Sequence, residues 1–247
     1  MPKHWSVIIL LCGAIVICAF TNQHTWVYLL VIFAYLGVLN WGIFDIRQGY
    51  FIKTIYKLKN PSEKEVLLSF DDGATELTPL FLDVLKKYNV KALFFCIGKQ
   101  IEKYPEIVQR IVQEGHWIGN HTYSHTPAVC FASTGRMIRE IEQTDTILAQ
   151  MGIKTEFFRP PYGITNPHIA QAVKKTGKKV VGWNIRSLDT IITDENRLFK
   201  RITSRITTGN IILMHDTSYR TLRVLERLLQ YLTDKNYKTT TDLTTSL

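Results

Sequence analysis

Cysteine is scarce: Cys12, Cys18, Cys96 and Cys130 are the four in 247 residues, with no CxxC pair and no regular spacing. That argues against a disulfide-stapled scaffold, and no disulfide is expected. Acidic side chains are also few, 21 against 30 Lys and Arg for a formal charge of +9. The basic residues are scattered, and no nucleic-acid-binding motif lies among them. Nucleic acid is therefore not expected as a partner, and the positive balance reads as a basic surface that keeps the protein soluble or near anionic lipid. No internal repeat and no low-complexity stretch is visible, which argues against a solenoid. Apolar side chains are abundant, at 46% of residues, so disorder is excluded and the core suffices for one α/β domain or two small ones.

Charge is missing from two long runs near the start. Residues 5–20 contain one polar side chain, Ser6, and residues 26–44 only Asn40. The second run is close to the roughly 20 residues that span hydrocarbon, and the first is short, at about 24 Å of helix. Trp5, Trp26 and Trp41 near the ends fit an aromatic belt. A signal peptide also has an apolar run, but no clear small-residue cleavage site follows this one. The expectation is a multi-pass membrane hairpin of two transmembrane helices joined by residues 21–25.

That connector has no Lys or Arg, while Lys3 precedes the first helix and Arg47, Lys53, Lys57 and Lys59 follow the second. The charge bias places both ends in the cytoplasm; cleavage of the first helix, or its failure to span, would put the remainder outside. In residues 46–59, Ile46, Tyr50, Phe51, Ile52, Ile55 and Tyr56 alternate with basic residues at roughly helical spacing, as in an interfacial helix on the membrane surface. Asn60-Pro61-Ser62 breaks the pattern. The expected division is 1–44 for the two membrane helices, 45–61 for a basic interfacial linker and 62–247 for the soluble domain.

From Glu65 the pattern changes to short apolar runs separated by amphipathic stretches. Strands are predicted over 66–70, 92–96, 117–119, 156–158, 179–183 and 211–214, and helices over 79–88, 105–114, 135–150, 167–176, 195–206 and 221–234. Such alternation implies an α/β fold with a parallel sheet closed, or nearly closed, into a (β/α) barrel.

Two imidazoles four residues apart, His121 and His125, reach one point if they sit on a single helical turn, which is a metal-ligand spacing. Two histidines leave such a site incomplete. Asp71 and Asp72 offer adjacent carboxylates on a turn, one able to ligate an ion and the other free to accept a proton from water there. In parallel barrels the reactive groups follow the C-terminal ends of strands. Here Asp71 and Asp72, then His121 and His125, then residues 159–163, then Asp189, then His215 each follow a predicted strand. Singly, each has an ordinary explanation: a capped turn, surface or core histidines, a rigid loop, a buried polar pair. Their order and spacing together argue for a site.

With Ser69-Phe70-Asp71-Asp72-Gly73, His121-Thr122-Tyr123-Ser124-His125, Arg159-Pro160-Pro161-Tyr162-Gly163, Trp183 with Asp189, and Leu213-Met214-His215 in this order, the chain resembles the polysaccharide deacetylase family. The group is also known by its NodB homology domain and as carbohydrate esterase family four. The resemblance covers Glu65 to the C-terminus, leaving the two apolar helices outside. It implies a distorted (β/α) barrel holding a divalent metal, commonly zinc, with cobalt or another divalent ion as the alternative. By that resemblance Asp72, His121 and His125 would hold the ion and Asp71 would be the general base. His215 would be the acid, with Asp189 and Arg159 orienting the charged partners. The backbone N–H of Tyr162 would stabilise the oxyanion, and Trp183 would join Tyr162 in substrate binding. Arg186, three residues before Asp189, is either a third substrate-binding residue in the groove or an ordinary solvated arginine. Two departures stand out: Ser69 where Thr is usual, which keeps the hydroxyl, and Thr190 after Asp189 where many members have Trp. His4, His24, His116 and His168 are assigned no metal role.

The expected function is a membrane-anchored, metal-dependent removal of an N-acetyl group from an amino sugar. The partner would be an acetylated amino-sugar glycan or a lipid-linked sugar. Deformylation or O-deacetylation of a lipid-linked sugar is the alternative chemistry, and a non-catalytic sugar-binding membrane protein the alternative of another class.

Overall fold

The computed structural model describes residues 3–61 and 63–243. Ser62, at the predicted domain break, and the ends of the chain lie outside them. Two helices open the chain, α1 (Lys3–Phe20) and α2 (Thr25–Phe44). Both are long and apolar enough to cross a membrane, and their large side chains point outward, with Phe20 88%, Phe33 76% and Leu10 71% exposed. They run as an antiparallel hairpin, and the start of α1 is tied to the segment after α2: the Lys3 ammonium donates to the Gln48 carbonyl at 2.5 Å and the His4 N–H to the Tyr50 carbonyl at 3.2 Å.

The rest is a curled sheet wrapped in helices. Its strands are β1 (Thr54–Ile55), β2 (Glu65–Gly73), β3 (Leu93–Cys96), β4 (Trp117–Asn120), β5 (Phe157–Phe158), β6 (Lys179–Val181), β7 (Ile185–Arg186), β8 (Asn210–His215) and β9 (Lys238–Thr239). All pair in parallel, in the order β1-β6-β5-β4-β3-β2-β8-β7, with β9 on the start of β2. Helices α3 (Thr78–Lys87), α4 (Gly98–Lys103), α5 (Pro105–Gln113), α6 (Thr134–Gln150), α7 (Pro167–Thr176), α8 (Glu195–Thr203) and α9 (Tyr219–Asp234) fill the connections. Several begin where the sequence supplies a cap: Ser133, Asn166, Asp194 and Ser218 each accept from a backbone N–H in the first turn of α6, α7, α8 and α9.

The strand period of two sorts side chains between two apolar clusters. From β2 and β8, Val66, Leu68, Phe70, Ile212 and Met214 pack in one cluster with α3, α5 and α9. Leu67, Ile211 and Leu213 pack in the other, inside the curl, with Phe95, Phe158 and Val181. Continuing that inner face along each strand reaches Ser69 and Asp71 on β2 and His215 on β8. Alternation thus delivers polar groups to the inner face just where the strands end.

Residues 46–59 form no interfacial helix. Only Ile46–Gln48 makes a 3₁₀ turn; the chain then pairs β1 with β6 and bridges Lys57 to Asn210 at the start of β8. Leu58 donates to the Gly209 carbonyl at 2.8 Å. The segment closes the curl between β6 and β8, so Ile46, Tyr50, Phe51, Ile55 and Leu58 are buried in protein. Ile46, Ile55 and Leu58 dock into the barrel while Tyr50 and Phe51 pack against His4 of α1, Tyr50 also reaching Gly42 of α2, so their spacing follows two different surfaces, and the sheet begins ahead of Pro61.

Candidate metal centre and active site

Arg159 organises the inner face. It is fully buried at the end of β5, and its Nη1 donates to Asp71 Oδ1 at 2.6 Å and to Ser69 Oγ at 3.0 Å. Its Nε and Nη2 donate to the Val181 and Gly182 carbonyls at 2.9 and 2.8 Å, and its Cζ lies 4.0 Å from the Phe95 ring centroid. A buried guanidinium with this many partners is a fixed clamp. It occupies one oxygen of Asp71 and leaves Oδ2 facing His121, 3.7 Å from its Nε2. Ser69 accepts from Arg159 and donates to the Ile212 carbonyl at 3.1 Å, so the change from Thr costs neither bond.

Asp72 turns the other way. Its φ of 70° lies at a register shift in the β2–β3 ladder, which swings its carboxylate out of the strand alternation. Asp72 Oδ1 is 3.6 Å from His121 Nε2 and 3.5 Å from His125 Nε2, and ligand atoms of the three residues lie within 4.8 Å of one another. Asp72 Oδ1 and His125 Nε2 are buried without a hydrogen-bond partner among the described residues. One carboxylate and two imidazoles converging with idle lone pairs suit an open three-ligand site of the zinc type, so these residues fit the ion.

The two histidines reach that point without a helical turn. Residues 121–125 are irregular, with Thr122 and His125 at φ 63° and 48°. Asn120 Oδ1 accepts the Thr122 N–H at 2.9 Å. Glu140, buried on α6, accepts the N–H groups of Tyr123 and Ser124 at 3.1 and 2.7 Å and the Ser124 hydroxyl at 2.8 Å. Side-chain acceptors thus replace the helical ladder. Neither Asn120 nor Glu140 figures in the motif reading. The available signal was an acid within the buried stripe of Met137, Glu140, Ile141, Thr144 and Leu148.

Hydrogen bonding also sets the tautomers. His121 Nδ1 faces the Arg159 carbonyl at 2.7 Å and must carry the proton there, leaving Nε2 as a lone pair toward Asp72. Burial, with the neighbouring His125, lowers the His121 pKa to about 3 and keeps the ring neutral. His215 is the opposite case. Burial disfavours its charge, but Asp189 outweighs this, with Asp71 and Asp72 adding to it, and its pKa rises to about 9. Asp189 Oδ1 holds His215 Nδ1 at 2.8 Å and Oδ2 accepts the His215 N–H at 2.7 Å. Ser187 and Thr221 hydroxyls fix the same carboxylate at 2.7 and 3.1 Å. His215 Nε2 then points across the mouth, 3.9 Å from Asp72 Oδ2.

The three residues linked with substrate are placed differently. Tyr162, with φ 58°, is 45% exposed beside His125, their ring centroids 5.0 Å apart. Trp183 is buried under the same loop, and a Cβ on Gly163 would fall 2.4 Å from its ring, so it supports the loop and offers little open surface. Arg186 is exposed, with its Cζ 5.9 Å from the Trp183 ring centroid, and lines a cavity with Arg201 and Arg205.

Asp216, next to His215, escaped the motif reading because its role is internal. It is fully buried, accepts the Thr78 hydroxyl, and leaves Oδ1 without a partner; its carboxylate fills the space a side chain at Gly73 would need. Burial pushes its pKa up to about 7. A carboxyl raised in the folded state stabilises fully below its unfolded pKa, near 4, and that stability is lost as pH rises through about 7. Asp216→Asn mimics the neutral acid. In detergent it is expected to be more stable than wild type by on the order of 1 kcal/mol at pH 5 and by a few kcal/mol at pH 8. A pH-independent difference would contradict this assignment.

Comparison with known proteins comes to the same place. The profile of the family described as polysaccharide deacetylase matches residues 58–181. A peptidoglycan-N-acetylglucosamine deacetylase of Bacillus cereus is 38% identical over 168 residues, 67% of this chain and 61% of that protein. The corresponding Listeria monocytogenes enzyme is 32% identical over 73% of this chain and 38% of its own length. The chain thus spans less than two thirds of the length of these relatives. The solved structure of peptidoglycan deacetylase PdaC from Bacillus subtilis superposes with a TM-score of 0.69 at 30% identity, covering 75% of this chain and 92% of that one.

Proposed function

The chain belongs to the polysaccharide deacetylase family, and from that premise we propose that it is a metal-dependent hydrolase removing the N-acetyl group from an amino sugar of a glycan. The observation that carries the reading is that base, three-ligand set and acid converge on one mouth: Asp71, then Asp72 with His121 and His125, then His215.

Asp72, His121 and His125 would hold a zinc-type ion, which would supply Lewis acidity to the acyl carbonyl and acidify water. Asp71 Oδ2, its partner oxygen clamped by Arg159, takes the proton of the attacking water. The Tyr162 N–H is the donor for the oxygen on which charge develops. His215, protonated at neutral pH, gives its Nε2 proton to the departing nitrogen, while Asp189 holds the ring in line.

Helices α1 and α2 are read as a membrane hairpin. At 18 and 20 residues they measure about 27 and 30 Å, against roughly 30 Å of hydrocarbon, and lipid would cover their outward apolar faces. The lack of Lys and Arg in residues 21–25 favours a cytoplasmic catalytic domain. That observation supports a narrower reading, a lipid-linked amino sugar at the cytoplasmic leaflet, over the external peptidoglycan named for the relatives.

Full-length protein in detergent with zinc, given acetylated and formylated glycans, is expected to release acetate, detected by mass. Formate or ester-derived acetate alone would move the activity to deformylation or O-deacetylation; ligand retention without any released acid would make it a sugar-binding protein. Protease added to intact spheroplasts should spare the C-terminal domain, and cleavage there would restore the external polymer as substrate.

A further inference from the structure

Four arginines converge at the seam where α2 hands over to β1. Phe44 and Arg47 on one side and Trp183, Arg186, Arg201 and Arg205 on the other line a cavity of about 300 Å³. The one carboxylate there, Asp45, is engaged by Arg47 through two bonds of 2.7 Å and by Trp41 Nε1 at 3.2 Å. Arg186, Arg201 and Arg205 have no carboxylate partner among the described residues. Arg201 Nε donates to the Arg186 backbone carbonyl at 3.2 Å, which holds the Arg201 side chain against the end of β7. Burial and the charges of Arg205 and Arg186 lower the Arg201 pKa, as expected of cations gathered without a counter-ion.

Guanidinium forks match phosphate oxygens, and a concave cationic site is satisfied by an anion. Two neighbours narrow which anion. Phe44 is the last residue of α2, so in the hairpin reading the cavity sits at headgroup level. Trp183 is a wall shared with the catalytic site, its ring 5.9 Å from Arg186 Cζ on the cavity side and 5.4 Å from the Arg159 Cζ that clamps Asp71.

We propose that this cavity is an anion subsite that takes the phosphate of a membrane lipid carrier whose amino sugar enters the site around Asp72. The sugar half of this statement rests on the deacetylase reading; the anion half does not.

The test uses full-length protein in phosphatidylcholine nanodiscs, with farnesyl diphosphate as the probe. Arg201→Gln/Arg205→Gln is expected to weaken its binding about tenfold or more, since two charge-assisted hydrogen bonds are worth at least that. Hydrolysis of a soluble aryl acetate should be unchanged in the same variant, which shows that the catalytic site is folded. Arg201→Lys/Arg205→Lys should keep part of the affinity, having charge without the fork. Equal affinity in wild type and the Gln variant overturns the subsite. Inorganic pyrophosphate binding as tightly as farnesyl diphosphate overturns the lipid source, and phosphatidylglycerol in the disc competing on equal terms overturns the carrier in favour of a bilayer anchor. Binding is read without turnover, so an inactive wild type that still bound farnesyl diphosphate would count against the deacetylase reading alone.

Discussion

Asp71→Asn is expected to bind metal as wild type does and to lose about 10²–10⁴-fold in turnover, while His121→Ala loses the metal itself. The division follows from the geometry. Asp71 Oδ1 is committed to Arg159 at 2.6 Å, and Oδ2 stands 3.7 Å from His121 Nε2, so an amide removes a base without removing a member of the Asp72, His121, His125 set. His121→Ala deletes one of three ligands, and its affinity loss should exceed the roughly 10–100-fold typical of changes beyond the ligands themselves. Asp71→Asn carries a second consequence. Arg159 is fully buried and would lose its only paired anion among the described residues, which in comparable cases costs about 3–5 kcal/mol. Metal content and rate should therefore be compared at a temperature where circular dichroism shows both variants folded. Equal metal loss in the two would overturn the division of roles.

How much of this was legible before the fold was known depends on the range of the interaction. β2 and β8 were legible because a run such as Val66 to Phe70 is buried on both faces and ends in polar residues, which is how a central parallel strand reads. The order of Asp71, His121, Arg159, Asp189 and His215 was legible because each lies at or beyond the C-terminal end of an apolar run. Strands β1, β7 and β9, two residues each, were not; β5 is as short, but its Phe157-Phe158 pair forms an apolar run that ends at Arg159. The helix expected over 46–59 failed because Ile46, Tyr50 and Ile55 are spaced by what they dock on, not by one helical face. The irregular path of residues 121–125 is set by Glu140, 16 residues beyond Ser124, and no local pattern announces it. The Arg186, Arg201 and Arg205 cluster likewise joins β7 to α8 and the stretch after it, which only folding brings together.

His215→Ala should reveal its role through the leaving group and not through rate alone. An amine departs poorly without a proton, so kcat/KM on an acetamido sugar is expected to fall about 10²–10⁴-fold, whereas an activated aryl acetate, whose phenolate leaves unaided, should lose less than about tenfold. The structure favours this because His215 Nε2 faces the mouth while Nδ1 is taken by Asp189 at 2.8 Å, and because the pair holds the proton that must be given. Asp189→Asn should follow the same pattern more weakly, since it leaves the imidazole in place but removes the charge that keeps it protonated and aimed. The two effects are expected to be strongly non-additive in the double variant, as for groups acting as a unit. Metal content should be unaltered in all three, His215 standing outside the Asp72, His121 and His125 set. An equal proportional loss on the amide and the aryl ester would mean that His215 acts on the attacking water or merely supports the fold.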